Sequence, residues 1–104
     1  RGGNQPRQNS VSGNYIHNVG LYVLQAPGIM HAVSCQNSIT SNIMFRGPRA
    51  GFNFNDHFGG GSVVSYNLMF DWVQKTSDHG TINSWDRMPY LTDVANGTSS
   101  LIPA

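Results

Sequence analysis

The sequence predicts an all-β chain wound as a parallel β-solenoid of about four coils, and three observations predict it. The first is a phrase written three times. Val11-Ser12-Gly13-Asn14-Tyr15-Ile16 returns as Ile39-Thr40-Ser41-Asn42-Ile43-Met44 and as Val64-Ser65-Tyr66-Asn67-Leu68-Met69. Each copy sets a β-branched residue three places before Asn and five before an apolar residue. The second is spacing: the three asparagines are 28 and 25 residues apart, and self-similarity at a period of roughly 20–50 residues marks a stack of repeated coils. The third is the absence of a helical period; the apolar phrases are short and strand-like, and Asn and Gly, which suit left-handed turns, stand where helix formers would otherwise be.

Asn14, Asn42 and Asn67 are expected to stack as a ladder at an inner corner. Asn can donate to one coil and accept from the next, so a row of them satisfies backbone groups that a bend would strand. Their neighbours would form the apolar columns Val11/Ile39/Val64 and Ile16/Met44/Met69. Each such side chain, fully buried, contributes roughly 1.5–3 kcal/mol.

Along the chain, residues 1–8 read as an N-terminal arm, 9–91 as the coils, and 92–104 as a tail or the start of a further coil. The first coil opens at Asn9-Ser10-Val11 and passes Tyr15-Ile16-His17. Leu21-Tyr22-Val23-Leu24 is a further strand-like stretch, Ala26-Pro27-Gly28 turns the chain, and the run Ile29 to Cys35 gives another face. The second coil passes Ile43-Met44-Phe45, bends at Arg46-Gly47-Pro48-Arg49, and resumes in Gly51-Phe52-Asn53-Phe54-Asn55, where apolar and polar residues alternate as in a half-buried strand. Gly59-Gly60-Gly61 lacks the Lys-Ser/Thr and helix of a phosphate loop and reads as a connection. The third coil carries Val63-Val64, Leu68-Met69-Phe70 and Trp72-Val73. A loop over 75–80 follows, and Thr81-Ile82-Asn83-Ser84-Trp85 is again strand-like.

Composition narrows the function. The chain has 104 residues, one domain's worth, with six Lys plus Arg against five Asp plus Glu and a net charge of +1. A nucleic-acid groove needs many cations to neutralise phosphates, so nucleic acid is not an expected partner. No run approaches the roughly 18 apolar residues of a membrane span, so a membrane is not expected either. A single cysteine, Cys35, allows no intrachain disulfide and reads as a small buried hydrophobe. The chain begins at Arg1, so it is expected to be processed or a fragment.

The coil repeat and the asparagines, with two further segments, resemble the right-handed parallel β-helix proteins of the pectin-lyase-like superfamily. The segments are Gly51-Phe52-Asn53-Phe54-Asn55-Asp56-His57-Phe58-Gly59-Gly60-Gly61 and Asp78-His79-Gly80-Thr81-Ile82-Asn83-Ser84-Trp85-Asp86-Arg87-Met88-Pro89-Tyr90. The resemblance covers about residues 9–91 and implies an extracellular β-helix with polysaccharide as partner. Enzymes of that superfamily are hydrolases, lyases or epimerases. Asp78-His79-Gly80 looks like the Gly-His-Gly element of the polygalacturonase-like members, with its first Gly replaced, and their other motifs are absent. Lyase-like members use a Lys or Arg base with calcium-binding carboxylates, and Lys75 is the one lysine. Catalysis is therefore not the expected activity; if present, it would be that of a polysaccharide lyase or glycoside hydrolase.

The residues themselves offer one constellation. Asp56-His57, Asp78-His79 and Asp86-Arg87 fall in the later parts of successive coils, so stacking could bring Asp56 to one of the other two aspartates. A carboxylate pair about 5–9.5 Å apart serves glycoside cleavage, and the same oxygens suit Ca²⁺, although no cofactor is required. Asp56, Asp78, His79, Asp86 and Arg87 are thus the weak catalytic candidates, with Asp56 and Asp78 the possible Ca²⁺ ligands. His57, Trp85 and Tyr90 are the candidate sugar contacts, since aromatic faces suit partly apolar rings. The competing account makes Asp86-Arg87 an ion pair, Asp56 and Asp78 turn caps, and the tryptophans core. Asn96-Gly97-Thr98 is an N-glycosylation sequon, which marks a surface loop in a secreted chain.

The expected function is an extracellular module that interacts with polysaccharide by binding. The alternative is a structural module that stacks end to end into a fibre, self-associating through the β-helix ends, because open coil ends expose unpaired strand edges. A fragment of a longer β-helix protein fits either reading.

Overall fold

The computed structural model describes residues 6–56 and 60–85, together with the backbone of 90–93 and 98–101. Among these there is no helix and no closed barrel. Instead, strands form three parallel sheets of three. The first sheet joins β1 (Ser10–Ser12), β4 (Ser38–Thr40) and β7 (Val63–Ser65). The second joins β2 (Tyr15–His17), β5 (Ile43–Phe45) and β8 (Leu68–Phe70). The third joins β3 (Ile29–Ala32), β6 (Phe52–Asn55) and β9 (Ile82–Trp85). Strands β1–β3 thus occupy one level, β4–β6 the next and β7–β9 the third, an arrangement compatible with a β-solenoid. β10 (Tyr90–Asp93) and β11 (Thr98–Leu101) pair antiparallel with each other. The described part of the tail therefore folds back on itself rather than adding a fourth strand to any of the three sheets.

The repeat sets the register. Val11 lies opposite Ile39 and Ile39 opposite Val64, while Ile16, Met44 and Met69 align in the second sheet. Successive side chains of a strand point to opposite faces, so these columns face inward. Ile39, Met44, Phe52 and Trp72 make the buried core, and Ile16, Ile29, Phe54 and Met69 pack against it. Trp72 lies in the loop after β8, outside any strand. Its indole rests on Gly47, where a Cβ would collide with the ring, and its Nε1 donates to the Met44 carbonyl at 3.1 Å.

Hydrogen bonds pass between levels through the asparagines. The backbone N–H and Nδ2 of Asn14 both donate to Asn42 Oδ1 at 3.0 Å. Those of Asn42 donate to Asn67 Oδ1 at 3.0 and 2.9 Å. Asn42 Nδ2 also reaches the Val11 carbonyl at 3.0 Å, and Asn67 Nδ2 reaches that of Ile39 at 2.8 Å. A second row, which the sequence reading missed, precedes the first sheet. Asn9 donates through its backbone N–H and Nδ2 to Asn37 Oδ1, both at 2.9 Å, and the Asn37 N–H donates to Ser62 Oγ at 3.2 Å. Its signal was present: Asn-Ser-Val at 9–11 and Asn-Ser-Ile at 37–39 open the same strand.

Left-handed backbone marks the bends, and it too recurs by level. Positive φ occurs at Gln8, Gln36 and Gly61; at Gly13, Ser41 and Tyr66; and at Asn18, Arg46 and Asp71. Glycine adopts this region freely, whereas other residues pay a steric cost of about 1–2 kcal/mol. Gln36, Ser41, Arg46 and Tyr66 hold it because the strands on either side fix the direction of the chain.

Leu21-Tyr22-Val23-Leu24 corrects an expectation. The stretch is loop, with all four side chains exposed. A strand needs a partner, and the second level offers none there, because its connection at 46–51 is much shorter than 18–28.

Candidate functional site

The outer faces of the three sheets differ in chemistry. The first carries hydroxyls, with Thr40 Oγ1 donating to Ser12 Oγ at 3.2 Å. The second is apolar. His17, Phe45 and Phe70 stack in register, with centroids 5.2 and 4.8 Å apart and planes within 10°. Tyr15 meets both His17 and Phe45 edge-on. The third sheet presents Met30, Asn53 and Asn83 in one row and Ala32, Asn55 and Trp85 in the next. Asn83 Nδ2 donates to Asn53 Oδ1 at 2.7 Å.

This third face forms part of a cleft of about 430 Å³. Two long connections wall it: 18–28 contributes Gln25, and 71–81 contributes Asp78 and His79. The short connection 46–51 supplies Arg49 at the base. Arg49 Nη2 donates to Asp78 Oδ2 at 3.0 Å and lies 3.0 and 3.2 Å from His79 Nε2 and Nδ1. His79 Nδ1 is in turn 3.0 Å from Asp78 Oδ1. The arginine and the imidazole are largely buried, while the carboxylate stands at the mouth. Desolvation pushes the Asp78 carboxyl up, but the His79 hydrogen bond and the charges of Arg49 and His79 outweigh it, so Asp78 titrates below its usual 3.8. The three side chains brace the long loop 71–81 against the middle level.

Asp78, His79 and Trp85 are therefore brought together, with Trp85 59% exposed. Asp56 directly follows β6, where its carbonyl accepts from the Val33 N–H at 3.0 Å, while the Asp78 carboxylate is engaged by Arg49 and His79. His57, Asp86, Arg87 and Asn96 lie outside the described residues, and of Tyr90 only the backbone, in β10, is described. No group of three His, Cys, Asp or Glu side chains that could hold a metal ion occurs among the described residues, and Asp78 is committed to Arg49 and His79 rather than to a set of oxygen ligands.

Arg49, Asn53, Asn55 and Asn83 were not singled out in the sequence. The asparagines could have been found from the alternation in 51–55 and its match to 81–85. Arg49 gave no sign, because its partner lies in a loop of different length on another level.

Three of the polar residues buried away from the cleft, His31, Ser34 and Asn37, meet one another. Asn37 Nδ2 donates to Ser34 Oγ at 2.6 Å and lies 2.7 Å from His31 Nε2. Burial lowers the His31 pKa below 6.5, outweighing a backbone hydrogen bond at Ser34 that raises it.

Compared with protein families, curated proteins and solved structures, the chain matches none.

Proposed function

We propose that this chain is an extracellular right-handed parallel β-helix of the pectin-lyase-like kind, of about four coils with an asparagine ladder, and that the outer face of its third sheet binds polysaccharide. One observation carries the binding reading: an exposed indole and a row of amides share an open cleft of about 430 Å³ walled by two long loops. Amides pair with hydroxyls, and a tryptophan face packs against the C–H side of a sugar ring. Binding is favoured over catalysis because the cleft's carboxylate is already paired with Arg49 and His79. The test is a panel of neutral and acidic oligosaccharides titrated against the intact chain, with isothermal titration calorimetry as the readout. The expected result is saturable binding that Trp85→Ala abolishes. A panel with no binder overturns the reading.

A second reading, end-to-end stacking into a fibre, is supported by the flanking levels. Val64 and Ile82 belong to inward columns, yet they are 37% and 56% exposed, so another layer of strands would cover them. Sedimentation velocity over a rising concentration series tests it. Growth into filaments supports the reading, and an unchanging monomer ends it.

A further inference from the structure

The charge pattern of the cleft speaks to which class of polysaccharide it would take, on the reading that this face binds one. A carboxylated or sulfated sugar needs an accessible, unpaired cation. The arginine among the described lining residues is Arg49, whose charge is already paired with the Asp78 carboxylate and whose side chain is only 16% exposed. The charge that stands at the mouth is the Asp78 carboxylate, with its side chain 61% exposed. An anionic sugar would meet that negative charge first and find the positive one behind it.

The remaining polar lining is uncharged and two-sided. The bond from Asn83 to Asn53 uses the donor of one amide and the acceptor of the other. Asn53 Nδ2 and Asn83 Oδ1 remain for a ligand, a donor and an acceptor on adjacent strands about 4.8 Å apart. A sugar hydroxyl both donates and accepts, whereas an ionised carboxylate only accepts and would leave the Asn83 carbonyl facing another acceptor. Asn55 and Trp85 are in register on the same pair of strands, so a ring seated on the indole lies beside the amides.

We propose that the ligand is a neutral glycan, its hydroxyls bridging Asn53 and Asn83 and one ring lying on Trp85, and that Asp78 at the mouth turns away uronate and sulfated chains. The probes are uncharged hexaoses (β-1,4-glucan, β-1,3-glucan and β-1,4-mannan), oligogalacturonate of the same length and a sulfated oligosaccharide, titrated by calorimetry against the whole chain. At least one neutral hexaose is expected to bind roughly tenfold or more tightly than either acidic probe, the factor one charge-assisted interaction supplies. Asn83→Ala should weaken the neutral ligand by up to about tenfold. Asp78→Asn, which removes the negative charge and releases Arg49, should raise the ratio of acidic to neutral affinity. Equal or preferential binding of the acidic probes overturns this inference while leaving the polysaccharide reading in place. Failure of every probe to bind removes the reading itself. An unchanged acidic-to-neutral ratio in Asp78→Asn, with far-ultraviolet circular dichroism showing the fold intact, overturns the role of Asp78.

Discussion

The middle level and the levels that flank it are built from the same phrase but live in different solvents. Ile39 is 2% exposed, whereas Val64, its register partner one level on, is 37% exposed; Phe52 is 1% exposed and its partner Ile82 56%. Nothing in the side chains themselves separates these pairs, since all are large and apolar. What differs is the number of neighbours along the stack. A residue in the middle has a strand above and below it, while one in a flanking strand has a described neighbour on one side. Burial here is a property of position in the stack more than of sequence.

The comparison can be broken most directly with the column of the third sheet. Phe52→Ala should cost about 3–5 kcal/mol, as emptying a filled aromatic site does, and Ile82→Ala in the same column should cost far less. Chemical denaturation of the two variants measures the gap, and equal losses would mean that the flanking level is as enclosed as the middle one. The polar row gives the next largest contrast. Asn42→Ala takes the acceptor from the Asn14 N–H and the donor from the Val11 carbonyl on the preceding level and should cost about 1–3 kcal/mol. Asn14→Ala, on the exposed side, should cost less than half of that.

Smaller still is the effect of the left-handed bends. Gly13 and Tyr66 occupy equivalent places on the two flanking levels, at φ 69° and 54°. Gly13→Ala should destabilise by about 1 kcal/mol and Tyr66→Gly should be neutral or slightly stabilising, because only the first adds a Cβ to a left-handed residue. Thermal melts should show a lowered midpoint for Gly13→Ala and an unchanged or raised one for Tyr66→Gly. The gentlest effect is on pH dependence. His31 is a buried residue on a flanking level, and its pKa is lowered in the folded chain. Its contribution is present above pH 6.5, where both states hold the ring neutral, and is lost as pH falls through the lowered native value, because the unfolded ring takes its proton first. Melts between pH 7.5 and 5 should show that decline, and His31→Asn should flatten it.

Much of this architecture could be read from the residues. The phrase around Asn14, Asn42 and Asn67 carries the first two sheets because both the strand alternation and the bend recur at one spacing. The third sheet was harder to align. Its strands are offset from the others by loops of different lengths, so Met30, Asn53 and Asn83 share no common period. Trp72 illustrates a different obstacle: a loop residue becomes core only because Gly47, on the level before, leaves room for its ring. The site was half legible. Asp78-His79 and Trp85 stand out as local signatures, but Arg49 becomes part of the site only when coils of unequal length are stacked.

That inequality has a consequence for how such a chain can diversify. The lengthening at 18–28 and 71–81 falls entirely between the second and third sheets, and the strands on either side keep their register. Closing a longer loop costs little, about 0.6 kcal/mol for each doubling in length. The corner is therefore a place where residues can be added or deleted without disturbing the stack, and the walls of the cleft are the part of the molecule that such changes would reshape. A shared scaffold could thus carry many different rims, with the amide row of the floor unchanged beneath them.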